Sequence, residues 1–421
     1  MSTGRTYRER ILDDELDESL RAIGAVLIEG PKACGKTESA SRKAATNYRL
    51  DVDVAARNAV SVVPELLLES PSPVLFDEWQ VVPTLWDQVR RAVDDRAPTK
   101  GLYILTGSAT PSEDVNRHSG AGRIAVIQMR PMPLMESGHS TGEASLQTLL
   151  ADGKIAGRDS GLTVPDLIDR ICIGGWPALL DASSQDAGQW LRDYLNQIVL
   201  VDIHELGVRR RDPENIRRLL NSLARNVGTA TKVTALAKDV GGAEGSVGRP
   251  TIYGYLDSLS RLRLIENSPA WAPHMRSATP LQSSPTRYFV DPSLAVAALG
   301  QGPTQLLGDL NAAGFFFENL VVRDVRIYAQ KLGGQVHHWR DQNQNEVDII
   351  VTLPDGRWGA FEVKMNPSDT DKAAASLLSF AKKVDQSKAG PPAALGVITS
   401  TGFAYRRPDG VAVLPIGALG P

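Results

Sequence analysis

The chain has 421 residues, of which 46 are Lys or Arg and 49 are Asp or Glu, giving a formal net charge of -3 at pH 7. This near balance excludes a nucleic-acid binder that is basic throughout and a strongly acidic disordered chain. Only Cys34 and Cys172 are present, too few for a disulfide framework, which favours a reducing compartment. Because residues 1–14 are charged and no stretch approaches the ~20 apolar residues of a membrane span, we expect a cytoplasmic protein.

The first third alternates short apolar runs with helical stretches, which predicts an α/β domain with a parallel sheet covered by helices. In chain order, the predicted elements are strand 25–29, helix 36–45, strand 48–52, helix 55–68, strand 74–76, helix 85–93, strand 102–106 and strand 123–129. A stretch rich in Gly, Ser and Pro follows, so we place the first domain at residues 1–140.

The remaining chain divides into a helical middle, residues 165–269, and a mixed α/β end, residues 285–421, joined by a Pro- and Ser-rich connector. The end has predicted helices at 315–330 and 370–384 and predicted strands at 335–339, 346–352, 358–364, 395–398 and 411–415. Charge is uneven, with 14 basic and 17 acidic residues in 1–100 but 11 basic and 7 acidic in 205–267. Any attraction for a polyanion is therefore expected in the middle domain.

A phosphate-binding loop is the clearest motif. The run Gly30, Pro31, Lys32, Ala33, Cys34, Gly35, Lys36 and Thr37 matches G-x-x-x-x-G-K-[ST] between a predicted strand and a predicted helix. The two glycines permit a tight loop whose backbone N–H groups face phosphate oxygens. Lys36 is expected to reach the β and γ phosphates and Thr37 to ligate Mg²⁺. The alternative is a Gly-rich turn with a solvated lysine.

A second motif agrees with the first. The apolar strand at 74–76 ends in Asp77 and Glu78, the position at which one carboxylate holds Mg²⁺ and the next orients and deprotonates water. We assign Asp77 to the metal and Glu78 as the catalytic base. Without the neighbouring loop, a solvated acidic pair would be the simpler interpretation.

Two further positions are candidates for the same site. Ser108 follows the strand at 102–106, where a small polar residue can contact the γ phosphate or the attacking water. Arg123 and Arg130 flank the next strand, where an arginine can be presented to a neighbouring subunit, and Arg123 is preferred. An ordinary turn and solvated loop arginines remain the alternatives.

These motifs resemble a family of bacterial and archaeal AAA-type ATPases that carry a C-terminal domain of unknown function. The resemblance rests on the phosphate loop, Phe76-Asp77-Glu78-Trp79, Leu105-Thr106-Gly107-Ser108, Gly122-Arg123, Gly174-Gly175-Trp176-Pro177, Tyr194 with Asp202, residues 253–256, Asp291-Pro292 and Phe317-Glu318-Asn319. It implies an ATPase core, a winged-helix segment and a restriction-endonuclease-like end, with ATP and Mg²⁺ as cofactors.

Residues 231–267 are typical of a helix, a turn at Gly241-Gly242, a second helix and a short strand. The side chains available for phosphate contacts are Arg249, Thr251, Tyr253, Arg261 and Arg263. Such segments also serve as protein contacts, so DNA binding and packing both stay open.

The last domain resembles the PD-(D/E)xK nuclease arrangement. Asp348 on one strand, and Glu362 with Lys364 on the next, are expected to share a face, with Glu346 and Glu318 nearby. The two carboxylates Asp348 and Glu362 could bind a divalent cation while Lys364 positions water. Val347 stands where that motif customarily has proline. Cleavage and binding without cleavage both remain open.

Together these features predict a Mg²⁺-dependent ATPase that couples ATP turnover to conformational work on DNA, such as translocation or remodelling, with branched DNA among the candidate substrates. The alternatives are a nucleotide-dependent switch for a protein partner, in a defence or toxin-antitoxin setting, and an ATP-regulated metal-dependent nuclease. We also expect a homo-oligomer without membrane association, because sites of this type are usually completed by a neighbour's arginine.

Overall fold

The computed structural model describes residues 7–107, 119–203, 212–273, 284–341, 343 and 345–421. The chain forms two compact units. The N-terminal unit comprises Met1–Pro131, Asp202–Arg210 and Ser258–Arg263, and the C-terminal unit comprises Met132–Val201, Arg211–Asp257 and Leu264–Pro421. The predicted division into three domains runs along the sequence, whereas the two units are interleaved along it.

The N-terminal unit is built on a five-stranded parallel sheet of order β2-β3-β4-β1-β5. Its strands are β1 (Ala25–Glu29), β2 (Thr46–Arg49), β3 (Val74–Asp77), β4 (Tyr103–Gly107) and β5 (Ile124–Gln128). Its helices are α1 (Leu12–Ala22), α2 (Lys36–Lys43), α3 (Val54–Val62), α4 (Glu65–Leu68) and α5 (Leu85–Asp95). Because the strands are parallel and β3, β4 and β1 are neighbours, the carboxyl ends of these three strands lie side by side at one edge of the sheet.

Two sequence-based bounds in this unit are wrong for local reasons. The second strand ends at Arg49, because Asp53 caps α3 by accepting a hydrogen bond from the Ala56 N–H at 2.9 Å. The single helix predicted at 55–68 is two helices, since Pro64 disfavours a helical backbone at Val63, where φ is −138°.

The C-terminal unit contains a six-stranded mixed sheet of order β13-β14-β12-β11-β10-β9. The described strands of this unit are β6 (Ala144–Ser145), β7 (Ile265–Ser268), β8 (Thr286–Phe289), β9 (Gln335–Arg340), β10 (Glu346–Thr352), β11 (Trp358–Lys364), β12 (Ala394–Thr399), β13 (Tyr405–Arg406), β14 (Ala412–Pro415) and β15 (Leu419–Gly420). β6 and β15 form a separate two-stranded pair, as do β7 and β8. β9, β10 and β11 are antiparallel neighbours, whereas β11, β12 and β14 are parallel. Trp271, Trp358 and Phe380 pack as rings in the core beside the sheet.

Helices make up much of the rest of the chain, and the helix Arg249–Arg261 contains the boundary between the units, which lies between Asp257 and Ser258. They are α6 (Leu146–Asp152), α7 (Val164–Ile173), α8 (Ser184–Gln197), α9 (Pro213–Arg225), α10 (Val233–Gly241), α11 (Arg249–Arg261), α12 (Pro292–Ala298), α13 (Pro303–Gly308), α14 (Leu310–Lys331), α15 (Thr370–Lys383) and α16 (Gln386–Ala389). α10 and α11 form the predicted helix-turn-helix, and β7 pairs antiparallel with β8. Within the described residues no helix is long and apolar enough to cross a membrane.

A buried ionic cluster joins several segments of the C-terminal unit. The Arg323 guanidinium lies 2.8 Å from Asp291 and 2.7 Å from Asp324, and all three side chains are almost fully buried. Asp291 also accepts the Gly175 N–H at 2.9 Å, and Asp324 accepts the Leu134 N–H at 2.9 Å. The motif residues 174–177 and 291–292 therefore meet in a structural network, in which each buried charge has a partner.

Candidate nucleotide site and carboxylate cluster

The phosphate loop connects β1 to α2, and its backbone explains its small residues. Ala33 and Gly35 have left-handed backbones, with φ of 63° and 107°. A Cβ on Gly30 would lie 2.3 Å from the carbonyl oxygen of Met129, so only glycine fits there. The buried Cys34 lies beside the same carbonyl, with its Sγ 3.9 Å from the oxygen.

The two lysines of the loop are both engaged. Lys36, which is 5% exposed, donates hydrogen bonds from Nζ to the carbonyl oxygens of Gly30 at 3.0 Å and Pro31 at 2.8 Å. Lys32 lies 2.7 Å from the carboxylate of Asp202. The loop therefore holds two ammonium groups against oxygen acceptors, and phosphate oxygens could replace those acceptors.

Thr37 and Asp77 are in direct contact. The Thr37 hydroxyl donates to Asp77 Oδ1 at 2.8 Å, and Thr106, at the end of β4, donates to the same oxygen. Asp77 is 3% exposed, and Arg49 at the end of β2 lies 3.9 Å from its other oxygen. A hydroxyl and a carboxylate are hard oxygen ligands, so Thr37 and Asp77 fit a Mg²⁺ ion bound with nucleotide phosphates.

Glu78 has a strained backbone. Its φ of 53° and ψ of 49° place it in the left-handed region, which non-glycine residues rarely adopt. The side chain of Gln80 donates to its carboxylate. Such strain is concentrated at functional positions, and it fits the assignment of Glu78 as the base that follows Asp77, the predicted metal ligand.

The other residues predicted for this site are Ser108, Arg123 and Arg130. Ser108 lies outside the described residues. Arg123 is partly exposed and donates from Nε to Asp94 at 2.8 Å and from Nη1 to the Ala121 carbonyl at 3.1 Å. The Arg130 carbonyl accepts a hydrogen bond from Arg10, which also donates to the carbonyl of Cys34 in the phosphate loop.

In the C-terminal unit, β10 and β11 bring three of the predicted residues together. Lys364 Nζ lies 2.7 Å from Glu362 and 3.8 Å from Asp348, and Asp348 accepts the Val363 N–H at 2.7 Å. Burial, with the nearby charge of Asp348, raises the pKa of Glu362 to about 8. These residues form the carboxylate cluster, in which the negative charges outnumber the lysine that offsets them.

Glu318 and Glu346 occupy different surroundings. Glu318 on α14 accepts the Tyr288 hydroxyl at 2.6 Å, and burial raises its pKa well above the ordinary value. Glu346 is largely exposed, 3.9 Å from Arg340. No group of three or more His, Cys, Asp or Glu side chains among the described residues is arranged to hold a metal ion. A cation in the cluster would therefore depend on Asp348 and Glu362 with water.

The candidate DNA-contacting residues lie on or next to α11. Arg249, Thr251 and Tyr253 are exposed, and Tyr253 is 59% exposed. Arg261 is half-buried at the end of the helix. Arg263 is an ion-pair partner of Glu29, the last residue of β1, so its guanidinium is directed to the strand that leads into the phosphate loop.

Comparison with known proteins agrees with this geometry. Residues 23–137 match the family model described as an AAA domain. They form an AAA-type P-loop ATPase domain. Beyond it, residues 164–305 and 313–419 match two domains of unknown function, DUF8612 and DUF4143. The prediction of an AAA-type ATPase domain is confirmed, whereas the winged helix and the nuclease-like end stay predictions.

The chain is also similar to whole proteins. It is 26% identical over 360 residues to the uncharacterized proteins Mb2031c of Mycobacterium bovis and Rv2008c of Mycobacterium tuberculosis, covering 83% of this chain and 72% of each relative. A solved structure of the Walker-type ATPase PABY2304 of Pyrococcus abyssi shares 14% identity at a TM-score of 0.39, with 68% and 94% of the two chains covered. A DNA replication initiation factor shares 13% identity at a TM-score of 0.23, covering 59% of this chain and 86% of that chain.

Sequence reasoning missed several residues around the ATPase domain's site. Arg49 and Thr106 follow from their position at strand ends, where parallel strands converge on one edge. The ion pairs Lys32–Asp202 and Glu29–Arg263 join residues far apart in sequence, and no local pattern indicates them.

Proposed function

We propose that this protein is a Mg²⁺-dependent ATPase that uses ATP hydrolysis for conformational work on DNA, by translocation or remodelling. The observation that carries the hydrolytic part is the 2.8 Å contact of the Thr37 hydroxyl with Asp77, next to Lys36 and followed by Glu78. A phosphate loop without such a carboxylate pair would support nucleotide binding only.

The residues divide the chemistry between them. Backbone N–H groups of the loop and the ammonium of Lys36 bind the phosphates, and Glu78 accepts a proton from the water that attacks the γ phosphorus as the bond to the β–γ bridging oxygen breaks. Mg²⁺, held by Thr37 and Asp77, would offset charge on the β and γ phosphate oxygens. The Gln80 side chain orients the Glu78 carboxylate by its hydrogen bond.

The DNA part rests on α11. Its exposed face carries Arg249, Thr251 and Tyr253, in a segment with an excess of basic residues. A local group of cationic and hydroxyl side chains suits phosphate contacts even when the whole chain is near neutral.

ATP turnover measured with duplex, single-stranded and branched DNA tests this part. We expect stimulation by at least one of them, which Arg249→Ala with Tyr253→Ala should reduce and the exposed control Arg158→Ala should not. Absence of binding and of stimulation by every DNA would refute it. Stoichiometric capture of a protein partner only by the ATP-bound form would then favour the protein-interaction switch.

An oligomer is part of the proposal. Arg123 is partly exposed on the ATPase domain and donates a hydrogen bond to Asp94, which suits presentation to a neighbouring copy. If sites are shared, mixing Arg123→Ala with Glu78→Gln subunits should restore some of the turnover that each variant lacks. Lack of complementation in mixed oligomers would argue for a self-contained site.

A second candidate function, a metal-dependent nuclease regulated by ATP, is favoured by the carboxylate cluster. Asp348 and Glu362 both lie within 4 Å of Lys364, an arrangement that could bind a divalent cation and position water. Labelled DNA incubated with Mg²⁺ or Mn²⁺ should be cut by the wild type and by Asp355→Asn, a surface control, but not by Glu362→Ala. Cleavage that persists in Glu362→Ala, or is absent from the wild type, would exclude this candidate.

A further inference from the structure

The chain passes between its two units at several points, and two of them carry ion pairs to the phosphate loop. Asp202 is the first residue of the segment Asp202–Arg210, and Arg263 is the last residue of Ser258–Arg263, both within the N-terminal unit. Asp202 pairs with Lys32, and Arg263 pairs with Glu29. Lys32 belongs to the loop, and Glu29 directly precedes it.

The Lys32–Asp202 pair joins an accessible cation to a buried anion. The Lys32 side chain is 47% exposed, whereas that of Asp202 is 8% exposed, and their charged atoms are 2.7 Å apart. Asp202 ends the π-helix Ile198–Asp202, which continues α8. A π-helix is less regular than an α-helix and often occurs at functional positions, so this segment is suited to rearrange. A buried carboxylate that loses its cation must be rehydrated or find another partner.

The Glu29–Arg263 pair has a comparable construction. Glu29 and Arg263 have 13% and 29% exposed side chains, and Arg263 has a left-handed backbone with φ of 57°. A non-glycine residue pays an energetic cost for that conformation, so its surroundings must hold it in place. The pair therefore ties the residue before Gly30 to the end of α11.

We propose that these two ion pairs form a nucleotide-responsive clasp, in which nucleotide phosphates compete with Asp202 for Lys32 and so release Asp202, the last residue of the π-helix, from the phosphate loop. The proposal rests on the proposed function, because it requires nucleotide at this loop. A bound triphosphate brings several negative charges next to Lys32, which a single carboxylate does not match. Such coupling is reciprocal, so loss of the Asp202 carboxylate should strengthen nucleotide binding.

Hydrogen exchange of the full chain tests the clasp. In the wild type, Mg²⁺ with a non-hydrolysable ATP analogue should increase amide exchange in peptides that cover residues 198–203. Asp202→Asn should bind the analogue about two- to five-fold more tightly, since a partly exposed ion pair no longer competes. The analogue should then leave exchange at 198–203 unchanged in this variant.

Asp17→Asn is the matched control. It removes the Lys43–Asp17 pair of 2.6 Å in the same unit, so it should keep both the affinity and the exchange response of the wild type. Wild-type protein that binds the analogue without a change at 198–203 would overturn the clasp and leave the proposed function intact. This measurement uses the wild type only, so it tests the clasp even if Asp202→Asn folds poorly. Wild-type protein that binds no nucleotide would refute the proposed function together with the clasp.

Discussion

The nucleotide site and the carboxylate cluster use acidic residues in contrasting ways. Asp77 accepts hydrogen bonds from the hydroxyls of Thr37 and Thr106. Glu362 shares its surroundings with Asp348 and has Lys364 as the ammonium beside it. Hydroxyl donors in the first site offset negative charge locally, whereas burial in the second raises the pKa of Glu362 to about 8.

The difference shows what each site needs. The candidate nucleotide site is arranged by backbone geometry and by hydrogen bonds that join residues of the two motifs, Thr37 and Asp77. The carboxylate cluster concentrates negative charge in a buried place, which a proton or a cation can relieve. Variants of Glu78 and Glu362 distinguish these two kinds of acidic site.

The largest effect is expected for Glu78→Gln in the nucleotide site. Loss of the base should lower kcat by about 100-fold or more, while ATP binding persists because the phosphate loop is intact. Turnover assays and equilibrium binding of a fluorescent nucleotide measure the two quantities. Glu65→Gln, an exposed change of the same type in the same unit, should behave as the wild type. Retained turnover in Glu78→Gln would remove this residue from the mechanism.

A smaller effect is expected in the carboxylate cluster as pH changes. The pKa of Glu362 is about 8 in the folded protein, above the ordinary value of 4.5. The folded state therefore binds the Glu362 proton more tightly than the unfolded state does. The stability that this protonation adds is lost as pH rises from roughly 4.5 to 8.

Glu362→Gln should weaken that pH dependence, by an amount on the order of 4 kcal/mol over this range. Denaturant unfolding between pH 5 and 8, followed by tryptophan fluorescence, measures it. Asp355→Asn is the matched control and should keep the wild-type slope. Equal slopes in Glu362→Gln and the wild type would mean that Glu362 does not titrate there. Added Mn²⁺ should stabilise the wild type at the upper end, where the carboxylates are charged.

The smallest effect is expected for the exposed Arg123–Asp94 pair. Because both side chains are about two-fifths exposed and solvent weakens their attraction, Arg123→Ala should leave the free energy of unfolding close to the wild-type value. Denaturant unfolding of the isolated variant checks this. A much larger loss would mean that Arg123 serves the fold, and it would complicate any interpretation of lost turnover as a missing arginine in the assembly.

Much of the ATPase domain follows from the sequence because its signals are local. The strand before Gly30, the helix from Lys36 and the acidic end of β3 each depend on a few neighbouring residues, and the structure has all three. Bounds shifted where a single residue acted, as at Pro64. Local sequence patterns predict whether an element is a helix or a strand better than they predict the residue at which it ends.

The C-terminal unit was less predictable in its contacts. The strands at 346–352 and 358–364 match the pattern, and alternation along them correctly paired Glu362 with Lys364. The motif residues Gly175 and Asp291, however, meet in the network around Arg323, which no spacing indicates. The partners of a buried charge that are distant in sequence depend on which segments pack together in the folded chain.

The sequence alone determined the phosphate loop, the acidic strand end and the alternation of strands and helices, since these depend on spacing within a few residues. Only the tertiary structure decided that Arg263 pairs with Glu29 and that Lys32 pairs with Asp202. Those partners are separated by more than a hundred positions in the chain, and charges so far apart meet only when the backbone has folded around them.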